Sequence, residues 1–385
     1  MRPPSPKKAT NVKRFLALTL GLFAALLAFA HAQEPAAQGH WPMTLTDGIG
    51  REVTIAKKPE AILLGSGFNL VALSLIHPDP VRLLAGWSSD LQRDNPEIYK
   101  DFIARFPALA DVPVIGDGTG DGLSFETILS LKADLAIMAN WQADTELGKR
   151  AIDYLESTGV PVFVVDFNSD PLKNTPSTMR LLGRILEREA QANAFADFYE
   201  VHLKRITDRV AAAPEPGPTV LMHAFPDPDR CCFAYGAGGL GEFIGITGSR
   251  NIADRNMPRQ GGLVSGEYLI AADPEVYIAT ASPGGTYSGF SIGPGVTADE
   301  ARRTLGEVVK NPTLANLSGV RNGRVFGVWN FFNAVPLNIL AAEAFARWLR
   351  PELFADVDPN ASLTEINERF AAVPFEGSYW ISLNP

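Results

Sequence analysis

"SFETILSLKADLAI" (residues 124–137) and "SGEYLIAADPEVYI" (residues 265–278) follow one pattern. In each, a serine stands two residues ahead of a glutamate, Glu126 or Glu267. Apolar or small residues recur at matched offsets: Ile128 with Leu269, Leu129 with Ile270, Leu131 with Ala272. A second acid, Asp134 or Glu275, lies further on, and a short apolar run closes each segment. Serine followed by an acid in the first turn is a helix start. A short helix running into an apolar strand is the building unit of a parallel sheet covered by helices. Its occurrence twice predicts two lobes of related design.

The flanking chain has the same grammar. "AILLGSG", "VRLLAGW", "LAIMA" and "VPVFVVDF" read as strands of a first lobe, separated by helical stretches at "FNLVALSLI" and around residues 145–157. "PTVLMHAF" and "GRVFGVW" read as strands of a second, with a helix over residues 338–349. Between the halves, residues 176–213 hold no proline after Pro176 and a single glycine, Gly183. Met179, Leu182, Ile185, Leu186, Phe195, Phe198, Val201, Ile206 and Val210 recur at helical spacing there. Pro176 suits a first turn with Thr175 as cap. The segment reads as one long helix, or as two with a break near residues 187–191. Its second half alone would span roughly 30 Å. The fold expected is α/β: two Rossmann-like lobes with central parallel sheets, joined by a long linker helix. The boundaries expected are 1–32 (export signal), 33–174, 175–213 (linker) and 214–385.

The first 32 residues carry Arg2, Lys7, Lys8, Lys13 and Arg14, no acid, an apolar run over residues 15–30, and the small-x-small site Ala30-His31-Ala32. A Sec-type signal peptide cleaved after Ala32 is expected, and hence a periplasmic protein. The whole chain has 34 basic and 43 acidic side chains, a net charge of −9. Removing the signal leaves 29 basic against 43 acidic, a net of −14. That argues against nucleic acid and anionic membranes as partners. The two cysteines, Cys231 and Cys232, are adjacent; buried thiols and a vicinal disulfide both remain open. Histidines are few and unclustered (His40, His77, His202, His223 after the signal), so no metal site of the protein's own is expected. A metal would have to arrive chelated.

In open α/β sheets ligands sit beyond the carboxyl ends of the strands. The candidates there are Ser66, Phe68, Asn69, Trp87, Trp141 and residues 166–168 from the first lobe. From the second come the loop over residues 227–235 with Arg230 and Tyr235, "SPGGTYSGFS" with Tyr287, and "WNFFN" with Trp329 and Phe332. Arg93 and Arg230 are placed to meet an anionic complex. An aromatic-lined cleft suits a large, partly flat ligand. "GAGGLG" (residues 236–241) satisfies G-x-G-x-x-G, but its helix is short and no strand ending in an acid follows at the required distance. A dinucleotide-dependent enzyme is therefore only a distant alternative. No catalytic residue or cofactor is expected.

The signal, the two repeated units, "GSRNIA" (residues 248–253) and "SGVRNGRVFGV" (residues 318–328) together resemble the periplasmic binding proteins for iron–siderophore complexes, cobalamin and haem, which serve ATP-driven importers. The tail over residues 351–380 resembles that of the iron-complex branch. The resemblance covers nearly all of the mature chain. It implies two lobes joined by a rigid helix and a ligand held between them. It implies a monomer delivering a ferric siderophore to an ABC permease dimer. Cobalamin, haem or a metal chelated by a small ligand are the alternatives. It also implies docking through one glutamate per lobe, which here falls on Glu126 and Glu267. Each glutamate also complements its own helix N-terminus.

Overall fold

The computed structural model describes Met1 and residues 41–384, except 120–123, 214, 228–230, 254–256, 286 and the side chain of Phe125. The expected signal peptide and its cleavage point lie outside the described residues, as does Arg230.

A hairpin of β1 (Met43–Thr46) and β2 (Glu52–Ile55) precedes the first lobe. The apolar runs of that lobe then become β3 (Ile62–Leu64), β4 (Leu84–Ser88), β5 (Val114–Gly116), β6 (Leu135–Ala139) and β7 (Val162–Val165). They lie in the order β5-β4-β3-β6-β7, with every pair parallel. β6 and β7 are buried along their whole length, as strands covered by helices on both faces must be.

The second lobe is mixed. β8 (Thr219–Ala224), β9 (Phe233–Ala234), β10 (Arg250–Asn251), β11 (Gly262–Leu263), β12 (Val276–Ala281), β14 (Val325–Trp329) and β16 (Trp380–Ser382) form one sheet. Its order is β11-β9-β8-β12-β14-β16, with β10 beside β8. The central β8-β12-β14 are parallel, while β9, β11 and β16 join antiparallel at the flanks. β13 (Gly293–Pro294) and β15 (Gly377–Ser378) pair apart from it. The repeated units occupy equivalent places. Phe125–Ser130 leads to β6, between β3 and β7; Gly266–Ala272 leads to β12, between β8 and β14.

The connection between the lobes is two helices, Pro171–Ile185 and Glu189–Ala212. The first starts earlier than expected. Pro171 takes the first turn, while Pro176 lies inside the helix. Thr175 is buried and accepts from the amide of Asn338 at 2.9 Å instead of capping. The chain turns at residues 186–188, where Glu187 has φ 52°. A Cβ on Gly183 would meet that of Ala192 at 2.3 Å, so a glycine is needed for the two helices to pack this closely. At 24 residues the second helix is about 36 Å long. Tyr199 on it donates to Asn338 of the second lobe at 2.6 Å. Cys231 and Cys232 are joined to each other, resolving the alternatives the sequence leaves open.

Candidate functional site

The strand ends of the two lobes face each other across a cavity of about 360 Å³. The first lobe contributes Phe68, Asp90, Arg93, Asp94, Gly118, Thr119, Trp141 and Asn168 to its wall. The second contributes Asn330, Phe331, Asn333 and Ala334. Phe68 and Phe331 stack across the gap, their ring centroids 4.6 Å apart and their planes 15° from parallel. Around them the lobes are tied by polar contacts. Tyr287 donates to Asp94 at 3.0 Å, Trp329 Nε1 to Asn95 at 2.9 Å, and Asn333 to Asn168 at 3.3 Å. Arg259 pairs with Asp170, and Glu242 accepts from the backbone of Leu172 at 3.0 Å.

The acidic residues of the wall sit on Asp90–Asp94, a short helix just past β4. Asp90 is buried and accepts from Ser66 Oγ at 2.5 Å and from Gly67 N at 2.6 Å. Burial pushes its carboxyl up to about 6, against the pull of those two hydrogen bonds. A Cβ at Gly118 would collide with this carboxylate, so a glycine is required there. Arg93 grips Asp94 bidentately, with both contacts at 2.8 Å, and donates to the Asp117 carbonyl at 2.7 Å. The hydrogen bond to Asp94 raises the arginine further above its ordinary value. On the other lobe, Asn330 accepts from Tyr235 at 2.6 Å and from Thr280 at 2.8 Å, which fixes its amide toward the cavity. Burial pushes Tyr235 up to about 12.

Of the residues expected at the cleft, Phe68 and Trp141 line it, and Arg93 and Asn168 join them. Ser66 and Tyr235 stand behind the wall and position Asp90 and Asn330. Tyr287, about half exposed, bridges to Asp94 at the rim. Asn69 is buried within its own helix. Trp87, Trp329 and Phe332 are corrections: none is on the cavity wall. Trp87 is enclosed and stacks on Tyr99. Trp329 and Phe332 pack edge-on against each other and around Tyr379. These three belong to the packed layers of their lobes, where a large ring buries most surface. Asp90, Asp94, Gly118, Thr119, Asn330, Phe331, Asn333 and Ala334 are the wall residues that strand-end reading did not single out. "WNFFN" holds three of them: Asn330, Phe331 and Asn333 lie on the wall, while Trp329 and Phe332 are packed inside.

The glycine run over residues 236–241 makes a tight turn against the first lobe. Gly239, at φ 57°, donates to the Ser169 carbonyl of the other lobe at 3.2 Å, and the helix after it is a single turn. His223 is buried, lies 3.0 Å from the Tyr277 hydroxyl, and is pulled down to about 4 by burial. Among the described residues no group of three or more His, Cys, Asp or Glu is gathered to hold a metal ion.

Glu126 and Glu267 are both exposed, each in the first turn of its short helix. Ser124 caps the first by accepting from Thr127 N, and Ser265 caps the second by accepting from Tyr268 N. Glu267 is held below the usual carboxylate range, first by its own backbone amide and then by the Ser265 hydroxyl. One turn on, Leu129 and Ile270 are 54% and 57% exposed. Each helix therefore presents an acid and an apolar side chain on one face.

A family model described as periplasmic binding protein matches residues 88–328. No curated protein sequence matches the chain. Among solved structures, the TroA-like periplasmic binding protein FepB from Veillonella parvula superposes with a TM-score of 0.77 at 22% identity, covering 89% of this chain and 100% of that one. The molybdate periplasmic binding protein MolA of Haemophilus influenzae gives 0.63 at 18% identity, covering 87% and 100%. A periplasmic haem-binding protein from Pseudomonas aeruginosa gives 0.54 at 21% identity, covering 78% and 94%. At these identities the likeness is one of fold.

Proposed function

The chain belongs to the periplasmic binding protein family, and from that premise we propose that it is the solute-binding component of an ABC importer, holding a compact ferric chelate of the siderophore class between its lobes. The observation that supports this is the aromatic-walled cavity built by both lobes, with Phe68 against Phe331 and Trp141 beside them. Flat aromatic faces with a few amide groups suit a chelate whose surface is mostly organic. The volume of about 360 Å³ lies near the low end for ligand pockets, which favours a compact solute over one as large as cobalamin. The same volume supports a second reading, a metal carried by a small ligand. No catalytic role is proposed for any residue. The enzyme alternative loses its support because the glycine run is a turn against Ser169.

In this reading Glu126 and Glu267 dock the loaded protein on a permease dimer, one glutamate to each subunit. The protein acts as a monomer in the periplasm after cleavage behind Ala32. Native mass spectrometry with absorption spectroscopy on protein taken from its own periplasm tests the ligand class. One chelated metal per chain, with a charge-transfer band, is expected; a bound organic solute without metal would overturn the reading.

A further inference from the structure

We propose that the cleft selects a chelate with no net negative charge: a neutral or cationic complex, such as a tris-hydroxamate, over an anionic one, such as a tris-catecholate. This deepens the reading above and rests on it.

Three ionisable side chains line the described wall, Asp90, Arg93 and Asp94. Arg93 is the only cation among them, and it is already committed. Its Nε and Nη2 hold both oxygens of Asp94 at 2.8 Å, and its Nη1 holds the Asp117 carbonyl at 2.7 Å. These contacts use three of its five N–H donors, and Asp94, with only 5% of its side chain exposed, offsets its charge. An anion on the remaining two donors would sit beside the Asp94 carboxylate and meet a pair with no net positive charge. Asp90 adds a negative charge when ionised and none when protonated. The wall is therefore neutral or negative, never positive.

Other features point the same way. Phe68 and Phe331 spend one face on each other, and any face that they or Trp141 turn to a solute favours positive over negative charge. Asn168, Asn330 and Asn333 offer uncharged amide groups, a match for the carbonyls of a hydroxamate. The chain as a whole carries −9, which slows the approach of an anion. The internal segments outside the described residues add no net positive charge: Asp229 adjoins Arg230, Asp254 adjoins Arg255, and Asp121 has no basic neighbour in its segment.

The test is a tryptophan-quenching titration of the full chain with three hexadentate ferric chelates of similar size: a neutral tris-hydroxamate, a cationic tris-hydroxamate bearing an ammonium, and a trianionic tris-catecholate. The first two are expected to bind at least about tenfold tighter than the third. Asp94→Asn, which removes a charge and loosens the Arg93 fork, should narrow that gap about tenfold. Arg93→Gln, which leaves Asp94 without its partner, should raise affinity for the cationic chelate and so serves as an independent second variant. Tightest binding of the tris-catecholate to the wild type would overturn the inference and leave the chelate reading standing. Binding of none of the three would overturn the chelate reading, and the inference with it.

Discussion

Asp134 and Glu275, the second acids of the two repeated units, perform the same task in the two lobes. Asp134 accepts the backbone N–H groups of Glu60 and Ala61, each at 3.0 Å, just ahead of β3. Glu275 accepts the backbone N–H and the hydroxyl of Thr219, at 2.8 and 3.1 Å, where β8 begins. Each carboxylate thus fixes the start of the strand beside its own. The repeat preserves a polar clamp as well as an order of elements.

Removing a clamp should cost stability without touching the cleft. Asp134→Ala is expected to lose about 2 kcal/mol, because its carboxylate is largely covered and two amides lose a charged acceptor. Glu275→Ala should lose less, its side chain being exposed. Urea denaturation measures both, and chelate affinity should stay within about twofold of wild type.

Glu126→Arg and Glu267→Arg, at exposed positions, should leave solute affinity unchanged and cut import. Each is expected to reduce uptake about tenfold or more, since reversed charge opposes a basic partner at the contact. Leu129→Ser and Ile270→Ser should act in the same direction, more weakly. Uptake in cells set against binding by the purified variants decides it. Loss of binding in the purified protein would remove the docking assignment.

Two buried groups titrate in opposite senses. The folded-state value of Asp90 is raised to about 6, so the folded protein holds that proton more firmly than the unfolded chain. Its contribution to stability is full below about pH 4 and is lost as pH rises through 6. His223 is lowered to about 4, so its contribution is full above about pH 6.5 and is lost as pH falls through 4. Each shift of about two units is worth ~3 kcal/mol, and over this window the two nearly cancel. Asp90→Asn should therefore make the melting temperature fall more on acidification from pH 6.5 to 4 than in the wild type. His223→Gln should make it fall less, or rise. Melting curves parallel to the wild type for both variants would contradict the assignment.

The fold was legible wherever burial is continuous. "LAIMA" and "VFVV" are sealed on both faces, and the helix Asn338–Leu349 lies where its periodicity places it. The two-residue strands β9, β11 and β15 left no pattern, because partner strands and turns define them, not their own residues. The linker start was misread because two prolines compete for a first turn, and only the packing of Thr175 against Asn338 shows that Pro176 is interior. At the site, strand ends pointed to the right region but not to the right neighbour. Phe332 faces the core while Phe331 faces the cavity. Asp90 lies two residues past the end of β4 and Asp94 one helical turn further on, while the strand-end reading stopped at Trp87.

The central claim is that the solute lies in the cavity between the lobes, against the stacked pair Phe68 and Phe331 of its wall. Native mass spectrometry of the purified chain after incubation with a neutral ferric tris-hydroxamate, comparing wild type with the Phe68→Ala/Phe331→Ala double variant, tests it most directly. The account predicts one chelate per chain in the wild type and at least about a tenfold loss of affinity in the variant, since both stacking faces are removed. An equally stable adduct on the double variant would contradict it.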